Sequence, residues 1–194
     1  MTLPELPQTP TICAARSQVL VIDVQARLSP AMAAGNTVVS RSALLLKIGE
    51  TLNVPVIFSE QYRKGLGKTE AELRAAAPSG QVFEKMEFSC ARNPAISAAI
   101  GSMTKDGRSQ VVICGIEAHV CVAQSALDLA AAGNQVFVVA DAVASRRDSD
   151  KAMALDRFRD CGIGVVSSEM VAFEWLERAG TPDFKAISAL LKPL

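Results

Sequence analysis

Short apolar runs alternating with amphipathic stretches set the pattern of this chain. Residues 18–24 (QVLVIDV) are β-branched and almost wholly apolar, the mark of a strand buried on both faces. Residues 41–52 follow with Leu44, Leu45, Ile48 and Leu52 at helical spacing. Residues 54–59 (VPVIFS) read as a second buried strand and residues 81–83 as a shorter, weaker third. Residues 93–103 read as a helix with Pro94 in its first turn, where a missing N–H costs nothing. In the second half, residues 109–114 (SQVVIC) form a strand running into Gly115. Residues 121–132 form an Ala/Leu-rich helix stopped by Gly133-Asn134. Residues 135–140 (QVFVVA) are a fifth strand, 149–160 an amphipathic helix and 163–167 a last strand. Helices over 168–179 and 182–191 complete the pattern.

Strand–helix units recurring every 25 to 30 residues or so predict a parallel sheet covered by helices on both faces, with right-handed crossovers. The expectation is one three-layer, Rossmann-like α/β domain over residues 1–194, with residues 1–10 an irregular N-terminal segment. A domain of this size buries roughly 70% of the surface of its unfolded chain and needs no disulfide or metal to hold it.

Composition narrows the function classes. Hydrophobic residues are 49% and charged residues 21%, too apolar for a disordered chain. Twenty Lys+Arg balance twenty Asp+Glu, which gives no electrostatic case for gripping nucleic-acid phosphates. Apolar stretches fall well short of the ~20 residues that span a bilayer, so no membrane partner is expected. The opening MTLPELPQTP lacks the basic region of a secretory signal. Five cysteines (Cys13, Cys90, Cys114, Cys121, Cys161) form no C-x-x-C pair, so the expectation is a reduced, cytoplasmic chain. His119 is the only histidine, which argues against a zinc site, and no metal or cofactor is expected.

In parallel sheets, ligands bind beyond the carboxyl ends of the strands. The polar residues there are Asp23, Gln25 and Arg27 after the first strand and Ser59 to Arg63 after the second. Glu84-Lys85 follow the third, residues 115–121 (GIEAHVC) the fourth and Asp141 the fifth. Cys121 stands where a loop enters a helix, so helix N–H groups favour its thiolate, and a nearby Lys85 would push the same way. Asp23 could take the thiol proton and later deliver it to a leaving amine. The residues alone leave blander readings open. Cys121 could be a small buried hydrophobe, as Cys13, Cys90, Cys114 and Cys161 are read. Asp23 could be a helix cap or pair with Arg27, and Lys85 could be a solvated charge.

VLVIDVQ at 19–25, EKMEFSC at 84–90, ICGIEAHVCVAQSALDL at 113–129 and VVADAVASRRDSDKAMALDRFRDCG at 138–162 together carry a resemblance. The chain resembles the isochorismatase-like cysteine hydrolase superfamily, and within it the isochorismatase-domain-containing subgroup, from about residue 11 to 192. The resemblance implies a six-stranded parallel sheet and a catalytic triad of Asp23, Lys85 and Cys121, with Cys121 at the nucleophile position. It implies a cis peptide between Ile116 and Glu117 and an oxyanion hole from the backbone N–H groups of Glu117 and Cys121. Such holes contribute about 3–4 kcal/mol per donor. It further implies a homo-oligomer, a dimer or tetramer.

Two departures narrow the chemistry. Nicotinamidase-type members carry Asp and His metal ligands after the second strand, where this chain has Glu60-Gln61-Tyr62-Arg63. Members that cleave isochorismate lack the cysteine, so Cys121 points to acyl transfer onto sulfur. The expectation is a hydrolase cleaving the amide C–N bond of a small molecule through a thioester. Leu28, Gln61, Tyr62, Phe88 and His119 are expected to line the substrate pocket. For His119 the other reading is a side chain tied to a backbone carbonyl or a subunit contact. Rivals to the enzyme are an idle scaffold that binds a metabolite or partner protein, and a peroxide sensor at Cys121. No other cysteine stands close in sequence to resolve such a sensor.

Overall fold

The computed structural model describes residues 11–191. Six strands, β1 (Ser17–Ile22), β2 (Val56–Gln61), β3 (Gln81–Lys85), β4 (Gln110–Ile116), β5 (Gln135–Ala144) and β6 (Gly164–Val166), form one sheet. Every pairing is parallel and the spatial order is β3-β2-β1-β4-β5-β6. The helices are α1 (Gly35–Thr51), α2 (Arg63–Leu66), α3 (Ala71–Ala76), α4 (Pro94–Lys105), α5 (Ala123–Ala131), α6 (Asp148–Asp160), α7 (Ser168–Leu176) and α8 (Pro182–Leu191). This is the expected six-stranded α/β sandwich of helix, sheet and helix.

The period-2 alternation of strand side chains makes the two cores. Val19 and Val21 of β1, with Val56, Phe58, Val112 and Val139, pack on Leu45, Leu46 and Ile48 of α1 and on Val171 and Trp175 of α7. Leu20 and Ile22, with Ile57, Ile113 and Val138, face the other way onto Ile96 of α4, Ala126 of α5 and Phe158 of α6. That double burial is why β1, β2, β4 and β5 read as continuous apolar runs.

The chain reverses its direction of winding between β1 and β4, and the carboxyl ends of those two strands lie side by side, with Ile22 opposite Gly115. Such a switch point opens a crevice in the sheet edge. Gly115 is essential to the approach: it sits at φ +132°, and a Cβ there would lie 2.1 Å from the Ile22 carbonyl oxygen.

Several sequence-based boundaries move. α1 begins at Gly35, six residues before its apolar periodicity is evident. α2 and α3 were not anticipated, being too short to show a period. The helix expected from Cys121 begins at Ala123, and Cys121 lies instead in a preceding π-helical turn, Ala118–Val122. The expected irregular segment 1–10 lies outside the described residues. Among those described, no helix is long and apolar enough to cross a membrane.

Candidate active site

The site grows from the end of β1. Asp23 follows the last residue of that strand with φ +54°, a left-handed backbone that few non-glycine residues adopt, and its side chain is fully buried. Both carboxylate oxygens are held. Ser59 on β2 donates its hydroxyl to Oδ1 at 2.7 Å, and the Lys85 ammonium donates to Oδ2 at 2.7 Å.

Lys85 ends the edge strand β3 opposite Gln61 on β2, and its ammonium is as buried as the carboxylate. Its Nζ also donates to Gln61 Oε1 (2.7 Å) and to the carbonyls of Glu87 (3.1 Å) and Phe88 (3.2 Å). A buried ammonium survives only with such partners. Burial opposes its charge most strongly, but the field of Asp23, helped by Cys90 and Cys121, raises the lysine above its ordinary pKa. The Gln61 backbone is itself clamped: Gln25 accepts from its N–H at 2.7 Å and donates to its carbonyl at 3.0 Å.

Cys121 completes the trio from the β4 side. Its side chain is within hydrogen-bonding reach of Asp23, and the residue is 7% exposed. Here the sequence-based expectation of a resting thiolate is overturned. Burial pushes the thiol pKa up, the Asp23 charge pushes it further, and the pull of Lys85 does not compensate. The physical reason is that the ammonium is already paired with the carboxylate, so little of its field is left for sulfur. The α-helical amino end is also two residues beyond Cys121.

Cys90 and Cys114 are pushed up to about 11 and about 12, in each case chiefly by burial. In the unfolded chain these thiols would ionise near 9.0. Above that pH the native state holds more protons than the unfolded one, so stability falls as pH rises. The unfolding free energy is expected to drop from about pH 9 upward, by roughly 1.4 kcal/mol per pH unit for each buried thiol. Urea unfolding at pH 8 and pH 10 measures this; equal midpoints would mean that the thiols are not desolvated.

The expected pocket residues divide. Gln61 holds Lys85 and donates to the Met86 carbonyl at 2.9 Å, so its amide positions the lysine. Tyr62 is 49% exposed and lines a cleft of about 280 Å³ together with Arg63, Lys85, Met86 and Glu87. Of the trio, Lys85 lines that cleft. Phe88 is 55% exposed on the same connection, and its carbonyl is what touches Lys85. Leu28 is half-buried and packs on the core layer of α1. His119 turns to the β5–α6 connection: Nδ1 lies 2.8 Å from Ser145 Oγ, and Nε2 lies 3.9 Å from Asp150. Glu117 reinforces that junction by accepting from Arg146 N and Nε, both at 3.0 Å. The Ile116-Glu117 peptide is cis, as the resemblance implied.

Glu60 on β2 accepts from Thr69 N (2.7 Å) and Oγ1 (2.8 Å) and pairs with Arg63 at 3.1 Å. It ties down the loop after β2. Among the described residues no three His, Cys, Asp or Glu side chains converge as metal ligands would. Sequence reasoning assigned no role to Ser59 or Gln25, although both stand just past apolar strands. Their partners lie 36 residues away along the chain, beyond any local pattern.

The family model described as isochorismatase domain matches residues 17–170, the span from β1 into α7. The chain is 38% identical over 175 residues to isochorismatase domain-containing protein 2 of Danio rerio, covering 90% of this chain and 86% of that protein. It is 39% identical over 159 residues to the secreted isochorismatase effector Isc1 of Phytophthora sojae, covering 80% and 75%. Among solved structures it is similar to the MAR1 ribonuclease of Caenorhabditis elegans, with TM-score 0.87 and 30% identity across 94% of this chain and 93% of that one. With its matched region running through the strands that carry Asp23, Lys85 and Cys121, the chain belongs to the isochorismatase family.

Proposed function

We propose that this protein is a cysteine hydrolase that cleaves the C–N bond of a small amide through a thioester on Cys121. The observation that carries this reading is the buried Asp23 carboxylate, fixed on one oxygen by Ser59 and on the other by Lys85, within reach of the Cys121 thiol. A thiol whose pKa is raised does not wait as an anion. It loses its proton to Asp23 as sulfur attacks the amide carbonyl, which is general-base catalysis of the nucleophilic step. Lys85 balances the charge throughout and carries no proton across. Protonated Asp23 then gives the proton to the departing amine, and the C–N bond breaks. Water attacks the thioester with Asp23 again as base, and the thiol leaves with that proton. The backbone N–H groups of Glu117 and Cys121 are proposed to receive the developing oxyanion.

The substrate would enter past Tyr62 and Met86, exposed side chains that line the cleft. Exposed apolar surface at a mouth of this kind is also what a second copy would cover, so a homo-oligomer is part of the proposal. The five cysteines are free, which supports work in a reduced, cytoplasmic setting. The secretion named for the Phytophthora protein is said of that protein.

The test is ammonia or amine release from a panel of small amides, with acid quench and mass analysis of the Cys121 peptide. An acyl adduct on that peptide, formed at the rate of turnover, is the expected result. Turnover with Cys121 unmodified at every time point would remove the thioester. The name of the Caenorhabditis protein favours a second reading, RNA cleavage. Net charge zero offers little grip on phosphates, so cleavage of a labelled oligonucleotide is expected to be absent. RNA cleavage that disappears in Cys121→Ala would replace the amide reading.

A further inference from the structure

A second thiol shares the buried site. Cys90 is fully buried, and its N–H donates to Ser125 Oγ at 2.8 Å, so it rests on α5 one helical turn beyond Cys121. Both cysteines belong to the same core layer, whereas Cys114 packs in the layer across the sheet. Cys161 is exposed at the end of α6 and Cys13 lies before β1. Cys90 feels the charges of Asp23 and Lys85, as Cys121 does. No step of the proposed hydrolysis uses it. The sequence separates these two cysteines by a strand and a helix, but in the fold both lie in the field of one Asp–Lys pair.

We propose that Cys90 and Cys121 form a reversible disulfide when the site meets a small hydroperoxide, with Cys121 the attacking thiol and Cys90 the resolving one. In the first step Asp23 takes the Cys121 proton as sulfur attacks the peroxide. An S–O bond forms, the O–O bond breaks, and the departing oxygen leaves with that proton as water or alcohol. In the second step the Cys90 sulfur attacks the sulfenic sulfur of Cys121. The S–S bond forms, the S–O bond breaks, and the Cys90 proton leaves with the hydroxide as water. Two thiols give up two electrons and the peroxide accepts them. The cross-link occupies the sulfur proposed to attack amides, so the oxidised protein is inactive until a dithiol reduces it.

The proton route rests on the reading of Cys121 as the group served by Asp23, but the test below reads covalent mass rather than turnover. Failure to hydrolyse amides would therefore leave it standing. The full-length protein is treated with hydrogen peroxide and, separately, with tert-butyl hydroperoxide, then digested without reductant. The expected result is a peptide pair joined through Cys90 and Cys121, lighter by two hydrogen atoms and separated by dithiothreitol. In Cys90→Ser the same treatment is expected to carry Cys121 on to the sulfinic acid, heavier by two oxygen atoms. Accumulation of sulfinic acid at Cys121 in the unaltered protein, with no link to Cys90, would overturn the proposal. So would a link from Cys121 to Cys13 or Cys161, or a Cys121 that stays reduced throughout. The unaltered protein decides the matter by itself, so the proposal stays testable if the variant folds poorly.

Discussion

Cys121→Ala is expected to abolish amide hydrolysis, lowering kcat/KM by about 10⁴-fold or more, while the fold survives. The rate loss follows from the route: without sulfur there is no thioester, and what remains is water positioned near Asp23. Losses of this order accompany removal of a nucleophile elsewhere. Stability is a separate matter. Removing one sulfur from a site with slight solvent access deletes a single heavy atom, a change worth about 1 kcal/mol in a packed interior. The thermal midpoint should therefore move by a few degrees and the circular dichroism spectrum hardly at all. Cys121→Ser is the sharper companion, since it keeps the volume and a hydroxyl in reach of Asp23. A serine variant with kcat within tenfold of the unaltered protein would mean that Cys121 is not the attacking group.

Lys85→Met is expected to lower the unfolding free energy by about 3–5 kcal/mol, because it leaves the Asp23 carboxylate buried without its cation. A domain of this size has a total of about 5–15 kcal/mol to lose, so the single variant stands close to unfolding. The damage should be asymmetric under a second substitution. Asp23→Asn in the same chain removes the orphaned charge, and an amide still accepts from Ser59 at the position of Oδ1. The double variant Asp23→Asn/Lys85→Met is therefore expected to be more stable than Lys85→Met alone. Part of the loss should persist, since Gln61 Oε1 and the carbonyls of Glu87 and Phe88 also lose their donor. Urea unfolding of the four proteins gives the coupling directly. A loss below about 1 kcal/mol in Lys85→Met would show that the pair is hydrated rather than buried. All three variants are expected to be inactive toward amides, so stability and activity separate cleanly in the double variant.

The raised thiol pKa and the Asp23–Lys85 pair are two faces of one arrangement. A free ammonium beside Cys121 would stabilise a resting thiolate, which reacts with many electrophiles. An ammonium locked to a carboxylate leaves a neutral thiol and a base next to it, so sulfur becomes nucleophilic only as its proton moves. Dilute iodoacetamide at pH 6 should on this account label Cys121 slowly, although the site is competent for catalysis. The same neutrality keeps two neighbouring thiols compatible with one buried pair, since neither adds a negative charge to it.

The amino-acid sequence by itself determined the layers and the succession of most elements along the chain, but not the spatial order of the strands. β1, β2, β4 and β5 are buried on both faces, so burial writes itself into consecutive residues as unbroken apolar runs. β3 was faint for the converse reason: it is an edge strand, and Gln81, Val82 and Glu84 face solvent. Asp23, Lys85 and Cys121 were legible as candidates because each stands at the carboxyl end of a strand or in the connection that follows it, and because their neighbouring residues match a known pattern. Only the tertiary structure decided how those groups act on one another. Whether Lys85 serves sulfur or carboxylate depends on distances of a few ångströms between chain segments 62 residues apart. His119 was drawn from the pocket toward Ser145, Gln61 from substrate to Lys85, and Cys90 from the bland core to the edge of the site. Periodicity reports which side of an element is buried, but the partner found there is set by the packing of distant segments, and electrostatics in a dry interior depends on that partner.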